Sequence, residues 1–130
     1  MKIILIDQNR EILSSLKEEL EEDGFVVTAM YSSDLLEVPG FDLSSYKAII
    51  TDCDEPRFNG LNVVRMVSGE PNPVPCLVHS WTSVVKTKGG NLYLPQWAED
   101  YDFVTYRQRR VGAVAYIWRF LRSVWDQSHS

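Results

Sequence analysis

The sequence has few of the features that mark secreted or membrane-spanning proteins. Cysteine occurs only twice among 130 residues, as Cys53 and Cys76, and both stand in or beside apolar runs typical of buried strands. Two such cysteines predict reduced thiols in the core rather than a disulfide framework or a zinc site. No apolar stretch approaches the roughly 20 residues of a membrane helix, and the run after Met1 ends at Asp7, too early for a secretory signal. We therefore expect a cytoplasmic protein without membrane association.

Positive charge is also scarce, because 13 Lys and Arg stand against 18 Asp and Glu, for a net charge of -5. This balance argues against nucleic acid as the main partner. The glycine signatures of nucleotide binding, GxGxxG after the first strand and the P-loop, are missing as well. Hydrophobic residues make up 45% of the chain, which suffices for a packed core. We expect one domain over residues 1–126 and a short tail over 127–130.

Short apolar segments alternate with helical patterns along the chain. The predicted strands cover residues 2–6, 25–30, 47–51, 76–79 and 101–105. Helices are predicted after the first and third strands, loosely within 31–45, and finally over 108–125. Between residues 82 and 99 two adjacent glycines and Pro95 predict a shortened or irregular fourth helix. The alternation predicts a three-layer α/β/α fold, in which helices cover both faces of a five-stranded parallel sheet of order 2-1-3-4-5.

Acidic and hydroxyl side chains stand where the predicted strands end, and sites in open parallel sheets form at that edge. Asp7 and Gln8 follow the first strand, Asp52 and Asp54 the third, and Ser80 the fourth. Carboxylates from two strand ends would converge there and suit Mg²⁺. Each residue alone has a simpler explanation as a helix cap or turn residue. The prediction of a site therefore rests on the cluster.

The order and spacing of these residues resemble the receiver domains of bacterial two-component response regulators, over nearly the whole chain. Residues 3–9 resemble the first strand of that family with its acidic pair. Asp52 is followed by Pro56 after four residues and by Gly60 after eight, which resembles the family's phosphorylation loop. Residues 75–80 resemble the fourth strand, which ends in a switch serine or threonine, and residues 102–105 resemble the fifth. The resemblance implies a flavodoxin-like, CheY-like fold and a signalling role without enzymatic activity.

The resemblance also implies a role for each residue of the site. Asp52 would be the phosphoacceptor, attacking a phosphoryl group carried by a sensor histidine kinase or a phosphotransfer protein. Ser80 would hydrogen-bond that phosphoryl group and couple it to Phe103, the switch aromatic. Mg²⁺ would offset the charge of the transferring group. Its ligands would be Asp7, Gln8 and Asp52. The family supplies a backbone carbonyl at position 54, so Asp54 either adds its side chain to the metal site or is a solvated acid of the loop.

Three positions depart from the family pattern. The lysine at the end of the fifth strand is replaced by Tyr106, which Arg107 follows, and the second acid of the first strand is Gln8. Trp81 follows Ser80 where the family has a small residue, and it could cover the pocket or turn outward. Three functions stay open: a phosphoaccepting receiver with a weakened site, a phosphorylation-independent pseudo-receiver acting as a protein-interaction module, and, least favoured, an unrelated flavodoxin-like enzyme or nucleotide-binding domain. In the last case His79 would be the candidate base, although a buried structural histidine explains it better.

The last predicted helix carries two apolar stripes, whereas packing on one face of a sheet needs one. The second stripe predicts an interface with a protein partner or a second copy of the chain, through Trp118, Phe120 and Trp125. Arginines that include Arg109 would frame this interface. In the alternative, the irregular segment 82–99 folds over the second stripe.

Overall fold

The structure is a computed structural model that describes residues 1–129. Its strands are β1 (Lys2–Ile6), β2 (Val26–Met30), β3 (Ala48–Asp52), β4 (Cys76–Ser80), β5 (Val84–Thr87), β6 (Gly90–Tyr93) and β7 (Val104–Gln108). Its α-helices are α1 (Arg10–Glu22), α2 (Asn59–Val67), α3 (Leu94–Glu99) and α4 (Ala115–Ser128). Two 3₁₀ helices, Ser33–Glu37 and Leu43–Ser45, stand between β2 and β3, where the sequence predicted only a loosely bounded helix.

The main sheet has five parallel strands in the order β2-β1-β3-β4-β7. With β7 as the fifth strand, this is the predicted order 2-1-3-4-5. Helices cover both faces, so the predicted three-layer fold is confirmed. The carboxyl ends of β1, β3 and β4 lie side by side, and this edge carries the acidic residues.

Alternate residues of each strand face opposite layers. On one face, Ile3 and Leu5 belong to a buried cluster with side chains of α1 and α4. On the other face, Ile4 and Ile6 pack with Val63 and other side chains of α2. All four isoleucine and leucine side chains of β1 are fully buried, as expected for a central parallel strand.

Two local features follow from single residues. Asn9 caps α1, since its side-chain oxygen accepts hydrogen bonds from the backbone N–H groups of Glu11 and Ile12. Cys53 and Cys76 are free, buried thiols, as the sequence predicted. Burial raises the pKa of the Cys53 thiol to about 12, so this side chain stays protonated at neutral pH.

The segment between β4 and β7 contains an antiparallel hairpin, β5–β6, and the six-residue helix α3. The helix expected there is therefore short, as the glycines predicted. Val85 of the hairpin and Leu94 of α3 are buried against Val64 of α2. The segment thus covers the α2 face of the sheet, and the alternative in which it folds over the last helix is wrong.

In the carboxyl-terminal third, the last strand and the last helix begin later than predicted. The fifth strand spans Val104–Gln108 instead of 101–105, because residues 101–103 form a turn in which Val104 N–H donates to the Tyr101 carbonyl. A second tight turn follows, with a bridge between Arg110 and Ala113, so the last helix begins at Ala115 instead of at 108. That helix continues to Ser128, three residues beyond its predicted end at 125. Ser130 lies outside the described residues.

The apolar residues of α4 mostly serve the core. Phe120 is buried with Ile117 and Leu121 in the cluster that also contains α1, so its assignment to an interface is wrong. A helix that packs on a sheet and on a neighbouring helix needs a wider apolar stripe than the sheet alone requires. Trp118 is partly buried and donates from Nε1 to Asp23, whereas Trp125 is 48% exposed. Within residues 1–129, no helix has the length and apolar character to cross a membrane.

Candidate functional site

Asp7 and Asp52 meet at the carboxyl edge of the sheet, as the sequence predicted. Asp52 ends β3, and Asp7 directly follows the neighbouring strand β1. Each side chain is only 1% exposed. The backbone N–H of Gln8 donates to Asp52 Oδ2 over 3.2 Å, which ties the two strand ends together.

Asn59 holds the second carboxylate oxygen of Asp52. Its Nδ2 donates to Asp52 Oδ1 over 2.9 Å, and its own Oδ1 accepts the backbone N–H of Ser33 over 3.0 Å. Asn59 is the first residue of α2, so the helix start fixes its position. Sequence reasoning missed this residue, because an asparagine in a turn before a helix has an ordinary role as a cap.

The buried position of Asp52 changes its acidity. Desolvation raises the pKa of Asp52 to about 6, although the hydrogen bond from Asn59 opposes this increase. The negative charge of Asp7 raises the pKa further, and the Gln8 N–H and the Arg109 guanidinium lower it. A fraction of the molecules therefore carries a protonated, uncharged Asp52 near neutral pH.

Gly60 explains part of the spacing in the loop after β3. A Cβ atom at this position would lie 2.9 Å from Val78 Cγ1 and 3.1 Å from the Asp52 carbonyl oxygen. Real Cβ atoms essentially never come within 3.0 Å of another atom, so an added Cβ would force its neighbours to shift. Glycine thus lets the first turn of α2 pack closely against the ends of β3 and β4.

The cation of the site is Arg109, which sequence reasoning placed at an interface. Its Nη2 donates to Asp7 Oδ2 and lies 2.8 Å from His79 Nε2, and its side chain is only 5% exposed. The backbone N–H of Arg109 donates to the Ser80 carbonyl over 2.7 Å, which extends the β4–β7 pairing by one residue. Because β7 lies three residues further along than predicted, the cation reaches the site from position 109 and not from position 106.

His79 connects this ion pair to the last helix. Burial and the neighbouring Arg109 charge hold the pKa of His79 well below its usual range, so the ring is neutral. An arginine can only donate, so His79 Nε2 accepts from Arg109, and the ring proton sits on Nδ1. From there it is donated to Tyr116 Oη over 2.7 Å. A buried chain of hydrogen bonds therefore runs from Asp7 to the first turn of α4, and the structural explanation of His79 is supported.

The Ser80 hydroxyl is hydrogen-bonded to Tyr106. Its Oγ donates to the Thr82 carbonyl over 2.6 Å and lies 2.7 Å from Tyr106 Oη, which must then be the donor. Phe103 precedes β7, and its carbonyl accepts the N–H of Cys76 at the opposite end of β4. Ser80 and Phe103 thus lie at opposite ends of β4, and the coupling of a phosphoryl group to Phe103 stays a prediction.

Asp54 and Trp81 form the outer side of the site. Asp54 Oδ1 accepts the Trp81 backbone N–H over 2.8 Å, and burial raises the pKa of Asp54. Asp54 Oδ2 is buried and has no hydrogen-bond partner among the described residues. The Trp81 ring is 43% exposed and lies over Arg109, with 5.4 Å between the guanidinium carbon and the ring centroid. Of the two orientations considered for Trp81, the structure has the one that covers the site.

The donor set is a poor fit for Mg²⁺ while Arg109 is in place. Asp7 Oδ1 accepts the Asn9 N–H and its Oδ2 accepts from Arg109, while both Asp52 oxygens accept hydrogen bonds as described above. Gln8 donates its side-chain amide to the Glu55 carbonyl over 2.5 Å. Within residues 1–129, no three His, Cys, Asp or Glu side chains are grouped closely enough to hold a metal ion. A divalent cation there would also face the positive charge of Arg109.

Comparison with solved structures identifies the fold. A response-regulator receiver domain from Clostridium thermocellum matches with a TM-score of 0.75 and 19% identity, over 98% of this chain and 96% of that one. The receiver domain of the Francisella response regulator 1452 gives 0.71 and 16%, over 98% of both chains. A Thermotoga maritima response regulator in complex with Mg²⁺ and BeF gives 0.67 and 16%, over 95% and 97%.

Sequence comparison adds no closer relative, because no family model matches the chain and no curated protein sequence is significantly similar to it. Each of these structural matches spans nearly the full length of this chain and of the chain it is compared with. The chain therefore has the flavodoxin-like fold of response-regulator receiver domains.

Proposed function

We propose that this protein is a signalling receiver module whose output does not depend on phosphorylation of Asp52. The observation that carries this proposal is that the Asp52 carboxylate is buried and fully hydrogen-bonded within the chain. Both of its oxygens accept hydrogen bonds, from Asn59 and from the Gln8 N–H, and the side chain is 1% exposed. An attacking carboxylate has to present a charged oxygen to the donor. Burial works against that charge by raising the pKa of Asp52 to about 6.

The Ser80 hydroxyl supports the same conclusion. In a phosphoaccepting site it would be available to bond the phosphoryl group, but here it donates to Thr82 and accepts from Tyr106. The positive charge that would meet a phosphoryl group is bound to Asp7. Each of these groups has its partner inside the chain, so a phosphoryl group would have to displace several internal hydrogen bonds.

The role we propose is that of a protein-interaction module without enzymatic activity. Its partner would contact α4 beside Trp125, where Trp118, Phe25 and Met1 line an open groove of about 560 Å³. Sedimentation velocity tests whether that partner is a second copy. We expect the wild type to contain dimer that Trp125→Glu converts to monomer, while the exposed control Arg119→Glu leaves it unchanged. A monomeric wild type would exclude self-association and leave a different protein as the partner.

The second candidate function is a phosphoaccepting receiver with a weakened, Mg²⁺-dependent site. It is favoured by the spacing of Asp52, Pro56 and Gly60 and by the tight packing of Gly60 beneath the loop. The donor would then be a histidine kinase or a phosphotransfer protein. Of the solved structures that this chain resembles, the Thermotoga maritima protein is in complex with Mg²⁺ and BeF.

Phosphorylation by acetyl phosphate in the presence of Mg²⁺ separates these two functions. Intact-mass spectrometry should show no phosphoryl adduct on the wild type, while a phosphorylatable receiver treated in parallel is labelled. An adduct that forms on the wild type and on Asp54→Asn, but not on Asp52→Asn, would overturn the proposal and establish Asp52 as the acceptor. Asp54→Asn is a matched control because Asp54 is also an acid of the same loop.

A further inference from the structure

Arg109 supplies the positive charge beside three acidic side chains, Asp7, Asp52 and Asp54. It reaches Asp7 across 102 positions of sequence, and both side chains of the pair are almost fully buried. Its charge also acts on Asp52 and Asp54, since it lowers the pKa of each against the effect of burial. A buried group of carboxylates without a positive charge would be strongly unfavourable.

We infer that Arg109 is a tethered counter-ion in the place of a divalent cation, and that removing it opens a latent site for Mg²⁺ or Mn²⁺ between Asp7 and Asp52. The inference rests on the proposed function, in which the site works without a phosphoryl group. It goes further by assigning the charge balance of the site to one residue of the chain itself. Arg109 and a divalent cation are then mutually exclusive occupants.

The oxygens available without Arg109 suit such a cation. Among residues 1–129, Asp7 Oδ2 then loses its one side-chain donor, and Asp54 Oδ2 is already buried without a hydrogen-bond partner. Mg²⁺ keeps several of its waters and needs only one or two carboxylates as direct ligands. Asp7 Oδ2 would therefore be a direct ligand, while Asp52, whose oxygens keep their bonds to Asn59 and Gln8, and Asp54 would bond coordinated waters.

Neighbouring aromatic residues give the test a spectroscopic readout. Trp81 stacks over Arg109 through its ring and binds Asp54 through its backbone N–H, so it borders the latent site on two sides. Tb³⁺ prefers the same oxygen ligands as these divalent cations, and a nearby tryptophan sensitises its luminescence. Trp118 lies beside Asp23 at the end of α1 and would sensitise Tb³⁺ bound there, so the signal of this site is the part that Trp81→Phe removes.

The experiment is a Tb³⁺ titration with Mg²⁺ and Mn²⁺ competition, together with calorimetric Mg²⁺ titration, on purified full-length protein. Arg109→Ala should bind Mg²⁺ at least about tenfold more tightly than the wild type, because the like charge is gone. The control Arg110→Ala removes an exposed arginine one residue away and should match the wild type. Arg109→Gln keeps a neutral donor near Asp7 and serves if the alanine variant does not fold, as judged by circular dichroism.

Two results would overturn the inference: Mg²⁺ binding by the wild type as tight as by the Arg109 variants, or no binding by a folded Arg109 variant. The acetyl phosphate experiment distinguishes this failure from failure of the proposed function. A wild type that binds Mg²⁺ but forms no adduct contradicts the counter-ion role alone. A wild type that is labelled on Asp52 contradicts the proposed function, whatever its affinity for Mg²⁺.

Discussion

Replacing Asp52 with asparagine should make the protein more stable at neutral pH, although it removes the hydrogen bond from the Gln8 N–H. Burial raises the pKa of Asp52 from 3.8 to about 6. In the unfolded chain this carboxyl loses its proton near its ordinary pKa. The folded state therefore binds more protons than the unfolded state between about pH 4 and pH 6, and stability falls as the pH rises through that window.

The size of the effect follows from the two pKa values. The difference between about 6 and 3.8 corresponds to about 3 kcal/mol at about 1.4 kcal/mol per pH unit. This destabilisation is complete above about pH 6, where the folded state also carries the charge. The asparagine side chain can still accept from Asn59, but its amide group cannot accept from the Gln8 N–H, which costs about 1 kcal/mol. The expected gain for Asp52→Asn is thus about 2 kcal/mol at pH 7.5.

Urea unfolding followed by tryptophan fluorescence measures this gain. The difference between Asp52→Asn and the wild type should shrink from about 2 kcal/mol at pH 7.5 to zero or a slight loss near pH 4.5. His79 has the opposite dependence, because its lowered pKa means that stability is lost as the pH falls below about 6.5. Both proteins contain His79, so its contribution cancels in the difference.

The control is Asp102→Asn, which removes a carboxylate that is exposed to solvent. It should change stability by less than about 0.5 kcal/mol at every pH. A variant Asp52→Asn that is less stable than the wild type at pH 7.5 would refute the reasoning. A gain that stays constant from pH 4.5 to pH 8 would refute it too, since it could not come from ionisation of Asp52.

Two further changes test the packing and the polar chain behind the site. Gly60→Ala should lower the free energy of unfolding by about 1–3 kcal/mol, because the new Cβ would lie 2.9 Å from Val78 Cγ1. The control Gly69→Ala should be close to neutral, since the nearest atom to its Cβ would be 3.5 Å away. Equal effects of the two variants in urea unfolding would contradict this. Tyr116→Phe should lower the free energy of unfolding by about 1 kcal/mol, and His79→Phe should lower it by about 1–3 kcal/mol. A double-mutant cycle should show that the two losses are coupled, because the two side chains share a 2.7 Å hydrogen bond. Additive losses would show that the bond contributes nothing to stability.

The strands and their order were predictable because each strand of a parallel sheet is an apolar run with clear ends. The run after Met1 and the run before Asp52 gave β1 and β3 within one residue. The two aspartates at their ends follow from topology alone, because the carboxyl ends of neighbouring parallel strands must meet. The convergence of Asp7 and Asp52 therefore needed no knowledge of side-chain contacts.

The last strand was harder to predict because residues 101–108 are aromatic or β-branched at many positions and so favour a strand in more than one register. What decides the register is the turn at Tyr101 and the pairing of Val104 with Cys76, and both are tertiary contacts. A shift by three residues exchanges the two faces of a strand. Tyr106 therefore lies beside Ser80, the residue to which the sequence suggested Phe103 would couple, and Phe103 precedes the strand.

The same shift decides how the charge of the site is balanced. With the strand ending at residue 105, the first arginine after it would have pointed away, and the site would have lacked a cation. With the strand ending at Gln108, Arg109 leaves the sheet at its carboxyl edge and meets Asp7. Net charge and composition are identical in the two cases, so neither could have revealed the pairing. A buried carboxylate at a strand end is therefore a reason to search the ends of the neighbouring strands for its cation, within a few residues of each predicted boundary.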